Sequence, residues 1–240
     1  MKRSKNVVMK IKNLLLNILI SGIAINLSSC QKQDHAYIDF IKDGERVYIG
    51  KVTDLVAQSG VGKVKLNFGV YDSRVSKIKI KYNDDLDSIL MDVTKTEAID
   101  YIDKVVKNLD ERTYTFKVYA IDKNGNSSIA QTVDGQSFGD SHLLTLTNRF
   151  ISSKIVSGTT VTLNWVAINT NARRGAVETE IEYTDSNTGA LKTDILPVDS
   201  QRIVLTTVNT TKPIRYRTKY LPSADAFEYM YTNYASYSFN

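Results

Sequence analysis

The sequence predicts an all-β chain of two tandem β-sandwiches, and three observations carry that expectation. Apolar and polar residues alternate with period two almost from end to end, as half-buried strands require. The pattern of the first half recurs about 100 residues later, too long a period for a solenoid and the length of one whole sandwich. No stretch holds a long helical period; the best helical candidate, Thr94 to Lys104, is short enough to be only a turn.

The elements follow in order. Val64, Leu66 and Phe68 alternate with Lys63, Lys65 and Asn67. Ile78, Ile80 and Tyr82 alternate with Lys77, Lys79 and Lys81, and Tyr114, Phe116, Val118 and Ala120 with Thr113, Thr115, Lys117 and Tyr119. Turn signals separate them at Asp43-Gly44, Gly60-Val61-Gly62, Asn83-Asp84-Asp85 and Asn124-Gly125-Asn126. In the second half, Val161-Thr162-Leu163-Asn164-Trp165 repeats the strand ending at Phe68, at an offset of 97 residues. Ile181-Glu182-Tyr183 repeats the strand ending at Tyr82, and Ile214-Arg215-Tyr216-Arg217-Thr218 repeats Tyr114 to Val118. The copies meet around Ser137 to Asn148. The expected organisation is a leader over 1–29, a modified Cys and tether over 30–36, and modules over 37–138 and 139–240.

Of 240 residues, 42% are hydrophobic and 24% charged, which supports a core and excludes a disordered chain. A single Cys excludes an internal disulfide framework and, with only two His, a Cys/His zinc site. The net charge of +5 suggests nucleic acid until it is located. Five of the 31 basic residues and none of the 26 acidic ones lie in residues 1–29, so residues 30–240 carry 26 of each. No nucleic-acid partner is expected.

The leader has a basic start and an apolar run from Leu14 to Leu27, 14 residues where a spanning helix needs about 20. It closes on Leu27-Ser28-Ser29-Cys30, which resembles the lipobox of bacterial lipoproteins. The small residues admit a peptidase, and Cys30 becomes the lipid attachment site. An ordinary signal peptide ending near a Cys, or an uncleaved N-terminal anchor, is the plainer alternative. Two or three acyl chains, at about 0.8 kcal/mol per buried methylene, hold a protein stably on a membrane. Gln31 stands where many inner-membrane lipoproteins carry Asp, so the resemblance implies the outer membrane, with leaflet and sidedness open.

Leu109-Asp110-Glu111-Arg112-Thr113-Tyr114, followed by Phe116, Val118 and Ala120, resembles the E–F corner and F strand of a fibronectin type III module. In that likeness Tyr114 is the corner tyrosine, its hydroxyl bonded back to the upstream backbone, and Phe68 and Trp165 are the core aromatics of strand B. Further segments run in order: Asp43-Gly44-Glu45 with Tyr48 and Lys51, Tyr82-Asn83-Asp84 with Asp87-Ser88, Asp122 with Gly125-Asn126, Phe138-Gly139-Asp140, Asn148-Arg149, and Arg217 to Pro222. Across about residues 37–235 they resemble an uncharacterised lipoprotein family of Gram-negative glycan-foraging bacteria, a domain of unknown function. Tyr82 departs from it, since that family often has Trp there. The resemblance implies a setting beside glycan-uptake systems and no established activity.

Groups for catalysis are sparse. His35 lies in the tether and His142 between the modules, and each reads as an exposed polar residue. Gly60-Val61-Gly62-Lys63 lacks the spacing and following helix of a phosphate loop and reads as a turn. Asp122 to Asn126 spaces oxygens as calcium loops do, but Ser127 and Val133 stand where Gly and the bidentate Glu belong. It and Asn83 to Asp87 read first as turns and second as weak calcium sites. No insertion loop builds a glycosidase cleft. No cofactor, no metal site and no enzyme are expected.

The outward faces differ between copies. Neighbouring C and F strands put Glu178, Glu180 and Glu182 beside Arg215, Arg217 and Lys219, a mutually supporting set. In the first copy Lys77, Lys79 and Lys81 face Thr115, Lys117 and Tyr119 with no acid in either set. That face is either a solvated edge guard or a basic platform for an acidic glycan, headgroup or protein, with Lys77, Lys79, Lys81, Lys117 and Tyr119 as its candidates. Tyr229, Tyr231, Tyr234 and Tyr237, with Phe227 and Phe239, crowd the last 14 residues. They are either a final strand with one buried aromatic face or a platform for sugar rings. The expected function is a non-catalytic, lipid-anchored envelope binding module associated with glycan capture or uptake. Polysaccharide or outer-membrane glycan-uptake proteins are its partners. A structural spacer or adhesion module that binds another protein is the alternative, and an unrecognised hydrolase a third.

Overall fold

The computed structural model describes residues 48–168 and 175–239. The leader, Cys30, Gln31, His35 and the Asp43-Gly44 turn lie outside the described residues. No helix among the described residues is long and apolar enough to cross a membrane.

The first sandwich runs β1 (Thr53–Val61), β2 (Lys63–Val70), β3 (Val75–Tyr82), β4 (Asp87–Asp92), β5 (Asp100–Lys107), β6 (Arg112–Asp122) and β7 (Gln131–Phe138). One sheet has the order β1-β2-β5 and the other β4-β3-β6-β7. At Gly60 and Val61, β1 also pairs parallel with β7, joining the sheets along one edge. The alternation in β2, β3 and β6 sends Val64, Leu66, Phe68, Ile78, Ile80, Phe116, Val118 and Ala120 inward, all of them fully buried. A four-residue helix, α1 (Asp140–Leu143), begins the linker.

The second sandwich runs β8 (Ile151–Ser157), β9 (Thr160–Trp165), β10 (Gly175–Thr184), β11 (Leu191–Pro197), β12 (Arg202–Leu205), β13 (Ile214–Leu221), β14 (Met230–Tyr231) and β15 (Ala235–Tyr237). Its sheets are β12-β9-β8 and β11-β10-β13-β14, with β15 also on β13. Val161, Leu163, Trp165, Ile181, Tyr183, Leu196, Leu205 and Ile214 fill the space between them. Phe68 and Trp165 occupy matching core positions at the ends of β2 and β9.

Three expectations need correction. Thr94 to Lys104 is not helical: residues 94–99 form a turn, and Asp100 starts β5. The Asp100 carboxylate accepts from the Thr96 and Glu97 amides and the Thr96 hydroxyl, and these bonds, with a Lys95 ion pair, hold its pKa down to about 2. Tyr114 is buried, but among the described residues its hydroxyl has no backbone partner. Its ring packs on Tyr82 and Phe116 and lies under the Arg112 guanidinium, 4.4 Å from the centroid. The final strand is broken in two, with Thr232 to Tyr234 between β14 and β15.

Candidate functional site

The outer face of the second sandwich is a three-row ladder. The register sets Glu178 opposite Lys219, Glu180 opposite Arg217 and Glu182 opposite Arg215, as the alternation predicts. Lys219 Nζ lies 2.9 Å from Glu178 Oε1, and Arg217 and Arg215 make close ion pairs with Glu180 and Glu182. On the other side of β13 the returning chain buries Met230 and Thr232, which turns Tyr229 and Tyr231 outward. The break after β14 adds a residue to the spacing, and Tyr234 joins the same face. Lys219 sits 4.2 Å from the Tyr229 ring centroid, Arg217 4.2 Å from Tyr231 and 4.7 Å from Tyr234, and Arg215 4.7 Å from Tyr234. Each cation is therefore held between a carboxylate and a ring. Tyr237 is not part of the ladder: it packs on Phe239 at the margin of the second core, 5.6 Å from Lys154 Nζ.

Burial and the bond its hydroxyl donates to Glu182 push the Tyr234 phenol up to about 12. The same bond, with Arg215 beside it, holds the Glu182 carboxyl below its ordinary value. Cation–ring contacts at exposed sites contribute about 0.5–1 kcal/mol and exposed ion pairs about 0.2–1 kcal/mol. Arg217→Ala removes one pair and two ring contacts, so a loss of about 1–2 kcal/mol is expected in denaturant unfolding. Because the folded pKa of Glu182 is depressed, its contribution is complete above the unfolded value and fades as pH falls through the folded one. The stability gap between wild type and Glu182→Gln is thus expected to be full at pH 7 and to close below about pH 4. A gap independent of pH would contradict the pairing.

The lysine face of the first sandwich is partly neutralised. Lys79 pairs with Tyr119, Lys81 with Lys117 and Lys77 with Ile121, one step further along β6 than expected; Thr115 instead bonds Asp134 of β7. Acids from neighbouring segments approach it: Asp85 lies 3.0 Å from Lys117 Nζ and Asp92 3.9 Å from Lys77 Nζ. Asp122 accepts from the Asn124 and Asn126 amides and the Asn126 side chain, so its oxygens close the turn. Among the described residues, no group of three or more His, Cys, Asp or Glu is arranged to hold a metal ion. His142 is half-buried, its ring 4.6 Å from that of Phe138.

The joint between the sandwiches was not visible in the sequence. The loop after β13 docks on the end of β1: the Phe227 amide donates to the Ser59 carbonyl at 3.0 Å. The Ser59 hydroxyl donates to Asp225 Oδ2 at 2.6 Å, and the Val61 amide to Glu228 Oε2 at 3.2 Å. Lys63 Nζ pairs with Glu228 Oε1 at 2.7 Å, and Lys65 Nζ stands 5.2 Å from the Phe227 ring. On the linker side, both oxygens of Glu111 accept the Ser141 and His142 amides at 2.7 Å.

Two clefts flank this joint. One, of about 600 Å³, is lined by Glu111, Asp134 and Asp225, all engaged as acceptors of bonds already named. The other, of about 670 Å³, brings Phe227, Tyr229 and Tyr231 together with the Lys63–Glu228 pair. Tyr229 is 48% exposed there. The cleft thus unites two of the tyrosines expected from the sequence with Phe227, which the same aromatic run contains, with Lys63 at the start of β2, and with Glu228, which no local pattern marked.

Two two-sheet sandwiches in tandem, with core aromatics matched on their second strands, define a nearly all-β protein of two sandwich modules. The chain belongs to the DUF4998 family, a domain of unknown function whose model matches residues 30–229. Among solved structures it is similar to a two-fibronectin type III domain segment from chicken tenascin, at 14% identity and a TM-score of 0.31. That match covers 78% of this chain and 98% of the other. It is also similar to the FN1–FN3 domains of chicken CNTN1, at 12% identity and a TM-score of 0.40, covering 81% and 69%. A search of the curated proteins found no match.

Proposed function

We propose that this protein is a non-catalytic, lipid-anchored accessory module of the bacterial cell envelope that binds saccharide in the aromatic cleft at the joint. The observation that carries the reading is the cleft itself: Phe227, Tyr229 and Tyr231 beside the Lys63–Glu228 pair. Aromatic faces take the apolar faces of sugar rings, and a charged pair at their side supplies donors and acceptors for hydroxyls. Anchoring through Cys30 and an outer-membrane setting rest on the leader and on Gln31. The carboxylates of the neighbouring polar cleft, Glu111, Asp134 and Asp225, serve as structural acceptors, which favours binding over chemistry.

The test is affinity electrophoresis of the full chain in detergent, in gels cast with neutral and acidic polysaccharides. Retardation by one class is expected, with Tyr229→Ala weakening it about tenfold, the equivalent of about 1.4 kcal/mol. A second reading, a rigid spacer that presents a partner protein, is favoured by the joint, where hydrogen bonds, an ion pair and a half-buried ring fix one module on the other. Absence of retardation from folded protein would select it.

A further inference from the structure

The geometry points to an anion site built around Arg149 in the second sandwich, taking the carboxylate of a small ligand. Arg149 ends the linker, immediately before Phe150 and β8, and is only 2% exposed. Its backbone amide donates to Thr218 Oγ1 at 2.9 Å, its Nε to the Val166 carbonyl at 2.9 Å, and its Nη1 to the Pro197 carbonyl at 3.4 Å. Among the described residues its Nη2 is buried without an acceptor, and no Asp or Glu pairs with the guanidinium.

The ladder on the outer face of the second sandwich sets each cation on a carboxylate, whereas the Arg149 guanidinium is interior and, among the described residues, has none. Burial alone acts on the guanidinium, pulling its pKa down, with no neighbouring charge to oppose it. Removing a charge from water without a partner costs several kcal/mol, and two carbonyl acceptors offset only part of that. A carboxylate is the group whose planar pair of oxygens matches a guanidinium fork.

Arg149 lines a cavity of about 250 Å³ with Phe150, Val166, Ala167, Ile168 and Tyr220. That lies below the range of about 300–1,000 Å³ usual for drug-sized ligands, so the occupant is small. Thr147, Asn148 and Tyr220 add polar groups to the walls, the Tyr220 hydroxyl donating to the Thr147 carbonyl at 2.6 Å, and a compact body fits behind the acid group against Phe150, Val166, Ala167 and Ile168. A free small carboxylate and the uronic acid of a saccharide share this chemistry.

The experiment follows the thermal midpoint of the full chain at constant ionic strength and pH 7, with chloride exchanged stepwise for acetate, glucuronate or phosphate. The midpoint is expected to rise with carboxylate and not with phosphate. A response to acetate and glucuronate alike supports a site for the bare carboxylate; a response to glucuronate alone supports a site for the sugar acid. Arg149→Gln is expected to weaken the apparent affinity at least tenfold. Should that variant not fold, Ala167→Trp carries the test: it fills the cavity, leaves the carbonyl bonds of Arg149 in place, and is expected to abolish the response. Tyr229→Ala is expected to leave it unchanged, which separates this site from the aromatic cleft. A wild-type midpoint no different in carboxylate than in chloride, a response to phosphate alone, or one retained in Ala167→Trp would overturn the proposal.

Discussion

Gly60→Leu is expected to lower the stability of the joint by about 2 kcal/mol and to split one unfolding transition into two. A Cβ at position 60 would lie 2.6 Å from Cε1 and 2.9 Å from Cζ of Phe227, inside any real contact. The ring must leave its place beside Lys65, or the loop whose Phe227 amide is bonded to the Ser59 carbonyl must lift. The expected outcome is that the loop after β13 lifts and loses its bonds through Asp225 and Glu228. Each sandwich keeps its own core, so the variant unfolds as two units where the wild type unfolds as one. Calorimetry of wild type and variant reads this directly; a single, unshifted transition in Gly60→Leu would show that the joint contributes nothing.

Thr218→Val is expected to cost about 2 kcal/mol, although it changes neither size nor shape. Thr218 is fully buried in β13, and its Oγ1 accepts the Arg149 amide at 2.9 Å. Around it, the Thr232 hydroxyl donates to Asn148 Oδ1 at 2.6 Å and the Thr218 amide donates to Thr232 Oγ1 at 2.8 Å. This set fastens the linker to the sheet. A methyl in place of the hydroxyl leaves a buried N–H without an acceptor, and that penalty, rather than the mean worth of a hydrogen bond, sets the size of the effect. Thr218→Ser keeps the oxygen and is expected to recover most of the loss. Equal stability of the Val and Ser variants in denaturant titration would contradict the assignment.

Much of the fold was legible because strands announce themselves locally. Side chains two apart share a face, and the resemblance that makes the C and F strands neighbours set Glu178, Glu180 and Glu182 against Arg215, Arg217 and Lys219; the register agrees. Where the reading depended on a bulge or a break, it slipped. A register shift between Val75 and Lys77 moved the lysine face one pair along β6, and the gap between β14 and β15 sent Tyr237 to the core margin while holding Tyr234 outside. Thr94 to Lys104 was the best helical candidate, though short enough to be only a turn; pairing of Asp100–Lys107 with β2 makes its second half a strand.

The joint was the least legible part. Ser59 and Asp225 are 166 residues apart, and neither carries a local signature of its partner. Gly60 read as part of a turn but lies in β1, and its need for a missing Cβ comes from Phe227, which only the folded chain brings near. Arg149 stood in a recognisable segment with Asn148, but nothing in that segment foretold that its guanidinium would be buried without a carboxylate.

The central claim is that the joint builds a saccharide-binding cleft. Affinity electrophoresis of folded wild type, Tyr229→Ala and Arg202→Ala side by side tests it most directly. The account predicts that wild type is retarded by one class of polysaccharide and that Tyr229→Ala is retarded about tenfold more weakly. Arg202→Ala, on β12 of the opposite sheet and away from the cleft, should keep most of the wild-type affinity. Wild type unretarded by every polysaccharide, or Tyr229→Ala retarded as strongly as wild type, would contradict it.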